Sequence, residues 1–374
     1  MLNKTFITMR TSKLILILLF FTVFSVGAQT ERYKWKYTTI THQLLKSEEE
    51  SGLWSNQSTI EFDKKYETID LAIDQCRLNI AKLKNYRLNN KTNALEILRV
   101  IDSTLSRNRF SVCVKVQTLS EGLELKPKKS LNCCYCNDYK QYREDNFKKF
   151  DKVYHLDCDL YSFLYLSIGE ALELPLNFVE VPKHNFIRWM LDSKNYINWD
   201  VNTANDYSDD TFRLGKTPTA STTFNIKEER DCHYLINLKT SEIIGYYEMV
   251  IGRSLKSNKK YVQAKKYYEH SISLRPYHPE AKHCLAYMIV FTGNFNSNEN
   301  YKLANRLEDE ATCVEPKNKE FVETLACSFA LLKNFKRAIE KSKSIIDFDI
   351  DIQKELEKGN SGVDIYKIKH NVLE

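Results

Sequence analysis

Three side chains in the middle of the chain have the types and the order that thiol acyl transfer uses. They are Cys158, His184 twenty-six positions later, and Asp200 sixteen beyond that. In such chemistry a thiolate attacks a carbonyl carbon and an imidazole carries the proton from nucleophile to leaving group. A carboxylate holds the imidazole in the tautomer that can do so. Order along the chain says nothing about distance in space, so the reading depends on the elements that carry each residue.

The stretch "LDCDLYSFLYLSIGEALELPL", residues 156 to 176, carries the cysteine. Leu160, Leu164, Ile168 and Leu172 recur every four residues, Phe163 and Ala171 widen the stripe, and Pro175 ends it, which predicts a buried helix. Asp157 stands where an N-cap belongs, so Cys158 falls in the first turn. Unpaired N–H groups and the positive end of the helix dipole favour a thiolate there, and the Cys158 N–H could serve as half of an oxyanion hole. Asp157 and Asp159 work against the thiolate.

After Pro175 the period changes to two. "NFVEVP" alternates, and "HNFIRWML" and "YINWDV" alternate across a polar DSKN turn, which predicts an antiparallel hairpin. With the turn centred on Asp192, Met190 faces Lys194, Arg188 faces Tyr196, Phe186 faces Asn198, and His184 faces Asp200. Ile187, Trp189, Leu191, Ile197, Trp199 and Val201 then share a core face, and His184, Arg188, Asn198 and Asp200 share the other with Phe186, Met190 and Tyr196, which sets His184 and Asp200 within hydrogen-bond reach of each other. A four-residue turn would set Asp200 opposite Ile187, about 10 Å out of line with His184. Taken singly, Cys158 reads as a small buried residue, His184 as a satisfied strand histidine and Asp200 as a turn carboxylate; their order on matching elements is what points to a triad.

These motifs together, the cysteine helix, the "VPKHNFIRW" strand and the "NWDVNTAN" strand, resemble the transglutaminase-like superfamily over about residues 95 to 212. The resemblance implies a papain-type α+β core with Cys158 as nucleophile, His184 as general base and Asp200 as the orienting carboxylate. Leu156 replaces the family's glycine two residues before the cysteine, and Asn185-Phe186 replaces the aromatic that follows its histidine. No second oxyanion donor is identified; His155 and Asn202 are the remaining polar candidates nearby.

Upstream, Tyr66, Ile69, Ile73, Cys76, Ile80 and Leu83, then Leu95, Leu98, Ile101 and Leu105, keep helical spacing and predict two amphipathic helices with Cys76 in the core. Residues 108 to 155 are mixed and polar. From residue 236 onward only helices are predicted, and an internal repeat is visible. Ala264, Tyr268, Ser271 and Pro276 keep offsets that Ala304, Glu308, Ala311 and Pro316 repeat forty residues later, with a third copy starting at Ala338. Ile251-Gly252, Leu285-Ala286 and Leu325-Ala326 align ahead of them. Residues 243 to 350 thus resemble tetratricopeptide repeats, which implies an all-α solenoid offering a curved surface to a protein or peptide.

The chain therefore divides into a leader (1–28), an N-terminal helical region (29–92), a transglutaminase-like domain (93–235), tetratricopeptide-like repeats (236–350) and a tail (351–374). The leader follows from Lys4, Arg10 and Lys13 ahead of LILILLFFTVFSVG, an apolar run of about 14 residues that ends in Val26-Gly27-Ala28. It is short of the ~20 residues a spanning helix needs. An exported chain is expected, anchored if the leader stays on, with no further membrane span.

Without the leader 52 basic side chains face 49 acidic ones, a balance that selects no polyanionic partner. "KPKK" and "KSNKK" lack interleaved aromatic residues, so nucleic acid is not an expected partner. Export favours disulfides among the ten cysteines. Cys133 and Cys136 have no second pair or histidines at zinc spacing, so neither a metal nor a cofactor is expected. The functional expectation is thiol acyl transfer on amide or peptide bonds. Hydrolysis is preferred to cross-linking because no second pocket for an amine is marked. A catalytically inactive core whose repeats bind a partner, and a repeat scaffold that the N-terminal part merely caps, are the alternatives.

Overall fold

The computed structural model describes residues 32–346 except 85, 113–117, 128–140 and 317. The leader, the tail and the Cys133–Cys136 pair lie outside the described residues. The fold is mixed α+β, and the described residues begin with three helices: α1 (Ile40–Glu50), α2 (Thr59–Ile80) and α3 (Lys91–Arg107). Helix α2 starts at Ser58, whose hydroxyl accepts from the Glu61 N–H while the Glu61 carboxylate accepts from the Ser58 N–H. Its predicted stripe is the buried one: Tyr66, Ile69, Ile73, Cys76 and Ile80 are within the core. Leu98, Ile101 and Leu105 of α3 are fully buried, and Leu95 packs against the same core.

Within residues 108 to 155, where the sequence shows no clear period, the described residues include a small sheet of β1 (Phe110–Ser111), β2 (Lys126–Pro127) and β3 (Lys152–His155). The order is β1-β3-β2, with β1 parallel to β3, and the short helices α4 (Leu119–Gly122) and α5 (Gln141–Lys148) lie between the strands in sequence. Two-residue strands are too short to carry a pattern.

Helix α6 (Cys158–Leu172) then leads into β4 (Leu176–Val181), β5 (His184–Met190), β6 (Tyr196–Asp200) and β7 (Asn205–Tyr207), an antiparallel meander in sequence order. The β5–β6 register differs from the expected one. Met190 pairs with Tyr196, Arg188 with Asn198 and Ile187 with Trp199, two residues away from the register centred on Asp192. The loop is longer because the Asp192 carboxylate accepts the N–H groups of Lys194 (2.7 Å) and Asn195 (2.8 Å), while the Leu191 N–H donates to the Asn195 carbonyl (2.8 Å). Because side chains alternate with period two, a slip of two residues leaves each on its expected face.

One face of the meander packs on α6: Phe163 stacks on Phe178 with ring centroids 5.3 Å apart, and the Trp199 indole donates to the Tyr165 hydroxyl. The other face meets a second cluster of Val179, Val181, Phe186, Phe212 and Phe224. That cluster includes residues of α7 (Asp209–Arg213) and α8 (Ile226–Cys232), such as Phe212 and Cys232.

Among the described residues six helices follow in three consecutive pairs. They are α9 (Thr240–Ser257) with α10 (Tyr261–Leu274), α11 (Pro279–Phe291) with α12 (Asn298–Val314), and α13 (Lys319–Leu331) with α14 (Phe335–Ile346). Of the residues that carry the repeat, Ala264, Tyr268 and Ser271, then Ala304, Glu308 and Ala311, then Ala338 are buried, whereas Pro276 and Pro316 are exposed. Small side chains stand where helices touch. A Cβ on Gly252 would come 2.6 Å from the ring of the fully buried Tyr268. Helix propensity favours alanine over glycine by about 1 kcal/mol, whereas forcing volume into a filled contact costs about 1–3 kcal/mol. Gly252→Ala is therefore expected to lower the melting temperature, and a thermal melt that rises instead would show slack at this contact.

The helical pairs share a core with what precedes them, since one buried cluster runs from α1 through α6 to Ala326 and Cys327 of α13. The wholly buried Glu48 carboxylate of α1 accepts from the Ser120 N–H of α4 and, at 2.7 Å, from the Tyr247 hydroxyl of α9. No helix among the described residues is long and apolar enough to cross a membrane.

Candidate active site

The three predicted residues occupy three adjoining elements. Cys158 is the first residue of α6, and its N-cap Asp157 accepts from the Leu160 N–H at 3.3 Å. His184 opens β5 directly after a two-residue turn in which Lys183 has φ 61°, and it pairs with Val181. Asp200 ends β6 opposite Asn205.

His184 and Asp200 meet. The imidazole Nε2 lies 3.2 Å from the Asp200 carboxylate, with His184 6% exposed and Asp200 fully buried. The two-residue slip of register makes this a diagonal contact rather than a directly opposed pair. The carboxylate is well supplied with donors: the Thr219 hydroxyl shares the oxygen that faces His184, and the Asn202 N–H reaches the other oxygen at 2.8 Å. Burial by itself would raise the Asp200 pKa, but His184, Thr219 and the Asn202 N–H outweigh it and hold the carboxyl below its ordinary range. Asp200 is thus an ionised, fixed acceptor. With Nε2–H engaged by it, Nδ1 is the bare nitrogen of the ring, the one able to take a proton.

Cys158 is placed differently. Its thiol donates to the Asp159 carboxylate at 3.1 Å, and the Asn185 carboxamide approaches Sγ at 3.8 Å and also donates to Asp159. No hydrogen bond joins Cys158 to His184. Strand alternation explains this: Asn185, on the same face as Ile187 and Trp189, is turned toward α6, whereas His184 is turned to the face where its ring lies 6.4 Å from that of Phe212. The electrostatic surroundings favour the neutral thiol. Burial first, then Asp159 and Asp157, and also Asp200, push the Cys158 pKa well above its ordinary value. Burial and Asp159 likewise raise Asp157, against the pull of the Leu160 N–H. The flanking carboxylates therefore overcome the helix dipole, which contributes well under what a buried, charged neighbour does.

The helix end still offers an oxyanion donor, since the Cys158 N–H has no acceptor among the described residues. The accessory candidates fall elsewhere in role. His155 is buried with Nε2 3.2 Å from the Pro127 carbonyl, which ties β3 to β2, and Asn202 acts through its backbone, holding Asp200 with its N–H and Arg143 with its carbonyl. The sequence did not mark Thr219 or Tyr246, whose hydroxyl donates to Asp159. Thr219 sits in an aperiodic loop, and Tyr246 is one of many tyrosines on amphipathic helices. Asn185 could have been found, because period two places it with Ile187 and Trp189 against the cysteine helix.

Among the described residues Cys76, Cys158, Cys232, Cys284 and Cys313 are thiols outside any disulfide. Among the described residues no group of three or more His, Cys, Asp or Glu side chains could hold a metal ion. No family model matches the chain, and no curated protein or solved structure matches it.

Proposed function

We propose that this chain is an exported protein with a transglutaminase-like core, in which Cys158, His184 and Asp200 carry out thiol acyl transfer on amide bonds, and that its tetratricopeptide-like helical pairs hold a protein or peptide partner. The observation that carries this reading is the buried 3.2 Å contact between His184 Nε2 and Asp200. It fixes a tautomer whose free nitrogen can serve a nearby nucleophile. Asn185, the next residue in the chain, touches the thiol.

The chemistry that fits a neutral thiol is general-base attack rather than a preformed ion pair. In this reading Cys158 leaves Asp159 and the His184 ring turns from the Phe212 face, so that Nδ1 takes the thiol proton as Sγ bonds to the carboxamide carbon. The Cys158 N–H supports the oxyanion, and the imidazolium is held by Asp200. The C–N bond then breaks, and the proton leaves with the amine or ammonia. Water, deprotonated by the same imidazole, hydrolyses the thioester.

The test is release of ammonia from a mixed set of glutaminyl and asparaginyl peptides, followed with an amine-detecting coupled assay. Wild type is expected to release it and Cys158→Ala to abolish release. Release that persists unchanged in Cys158→Ala would remove the proposal. A second reading, a non-catalytic core whose helical pairs do the binding, is favoured by the thiol's bond to Asp159 and by the three carboxylates that oppose its ionisation. It predicts no release from either protein.

A further inference from the structure

Asp159 is the hub of the thiol's surroundings, and one of its three donors comes from outside the sheet and its cysteine helix. One carboxylate oxygen accepts from the Cys158 thiol at 3.1 Å and from the Asn185 carboxamide. The other accepts from the hydroxyl of Tyr246, on the first helix of the repeated pairs. The Tyr246 ring is fixed from several sides: it lies edge-on to Phe163 (centroids 6.3 Å apart, 64° between planes) and 5.9 Å from Phe178. The Arg275 guanidinium sits 5.7 Å from its centroid. Arg275 in turn is paired with the buried Glu180 of β4. A continuous chain of contacts therefore runs from the end of α10 through Tyr246 to the thiol.

Resting on the reading of Cys158 as the reactive thiol, we infer that Tyr246 is a positioning residue for it, so that the helical pairs set the reactivity of Cys158 through Asp159. The hydroxyl occupies part of Asp159's accepting capacity, and this weakens the carboxylate's hold on the thiol proton. The charged and titratable groups around the thiol are Asp157 and Asp159 on α6, His184 on β5, Asp200 on β6 and Tyr246 on α9, with Glu180 on β4 and Arg275 behind Tyr246. Of these, Tyr246 is the one on the helical pairs that touches Asp159 directly, so a partner bound there would reach the thiol through it.

The experiment measures alkylation of Cys158 in the full chain at pH 8, resolved by peptide mass so that the other thiols do not contribute, with iodoacetamide and with a bulky maleimide. Tyr246→Phe removes the hydroxyl and keeps the ring. A rise of about one unit in thiol pKa cuts the thiolate fraction tenfold, and the remaining thiolate is about threefold more nucleophilic, so labelling is expected to slow about threefold. A charge effect slows both reagents by the same factor, whereas loosened packing would speed the bulky reagent more. Asp159→Asn is expected to accelerate labelling, and Tyr246→Phe made in that background to change nothing further.

An unchanged or faster rate in Tyr246→Phe would overturn the inference. So would an equal effect of Tyr246→Phe with and without Asp159. Should Tyr246→Phe fail to fold, slower or unchanged labelling in Asp159→Asn would overturn it alone. Ammonia release separates the two claims. Loss of release in every protein with the labelling pattern intact removes the catalytic reading and keeps Tyr246's role; release that needs Cys158 with labelling indifferent to Tyr246 does the reverse.

Discussion

Arg275→Ala is expected to destabilise the fold by about 3–5 kcal/mol at pH 8, as breaking a buried ion pair does when one partner is left behind, and by less at pH 5. Arg275 is 2% exposed and Glu180 5%, and the pair joins the end of α10 to strand β4. Burial raises the Glu180 carboxyl, against the pull of Arg275, from 4.5 to about 7. A carboxyl whose folded pKa lies above its unfolded value supports the fold fully below the unfolded value and loses that contribution as pH rises through the folded one.

In the wild type this loss spans pH 4.5 to about 7, where ionisation beside Arg275 halts it. Without the guanidinium the folded pKa climbs further, so the loss continues above pH 7 and the gap between variant and wild type opens there. Urea unfolding at pH 5 and pH 8 measures it. A cost below about 1 kcal/mol at pH 8, or one that shrinks as pH rises, would mean that the pair does not hold the helical array to the sheet. Replacing both residues by leucine is expected to be neutral or stabilising, because no charge is then left buried.

Much of the frame was legible because burial imposes periods on sequence. The four-residue spacing of Leu160, Leu164 and Ile168 identified α6 and the cap at Asp157 located its start, and the two-residue alternation of Ile187, Trp189, Ile197 and Trp199 gave the correct faces of the meander. The register itself was not legible, since it was set by Asp192 capturing two loop N–H groups, a local choice that leaves alternation untouched. The sheet at residues 110–155 was hidden by the shortness of its strands.

At the site, the sequence put His184 and Asp200 on one face, where they are found together. The thiol's actual partners escaped notice for different reasons. Asp159 was read as a charge opposing the thiolate rather than as the group that holds the proton, and Tyr246 arrives from 87 residues away along the chain. Packing between distant elements leaves no local pattern.

The second large effect concerns His184. If its Nδ1 takes the thiol proton, His184→Ala removes general-base assistance, which contributes about 10²–10⁴-fold to such reactions. Asp200→Asn keeps the ring but releases its tautomer, and it is expected to fall between wild type and His184→Ala. Because His184→Ala leaves the buried Asp200 carboxylate without its imidazole partner, it is expected to lower the melting temperature as well, so ammonia release is compared at a temperature where both variants remain folded.

The reaction of Cys158 itself tests the coupling without a substrate. The rate of iodoacetamide labelling at Cys158, followed by peptide mass from pH 6 to pH 10 in wild type and in His184→Ala, is the most direct measurement of whether sulfur and imidazole act together. The account predicts labelling at least about tenfold slower in His184→Ala near neutral pH, with the two profiles converging as the pH approaches the raised pKa of the thiol. Profiles that coincide at every pH would show a cysteine indifferent to its histidine and would contradict it.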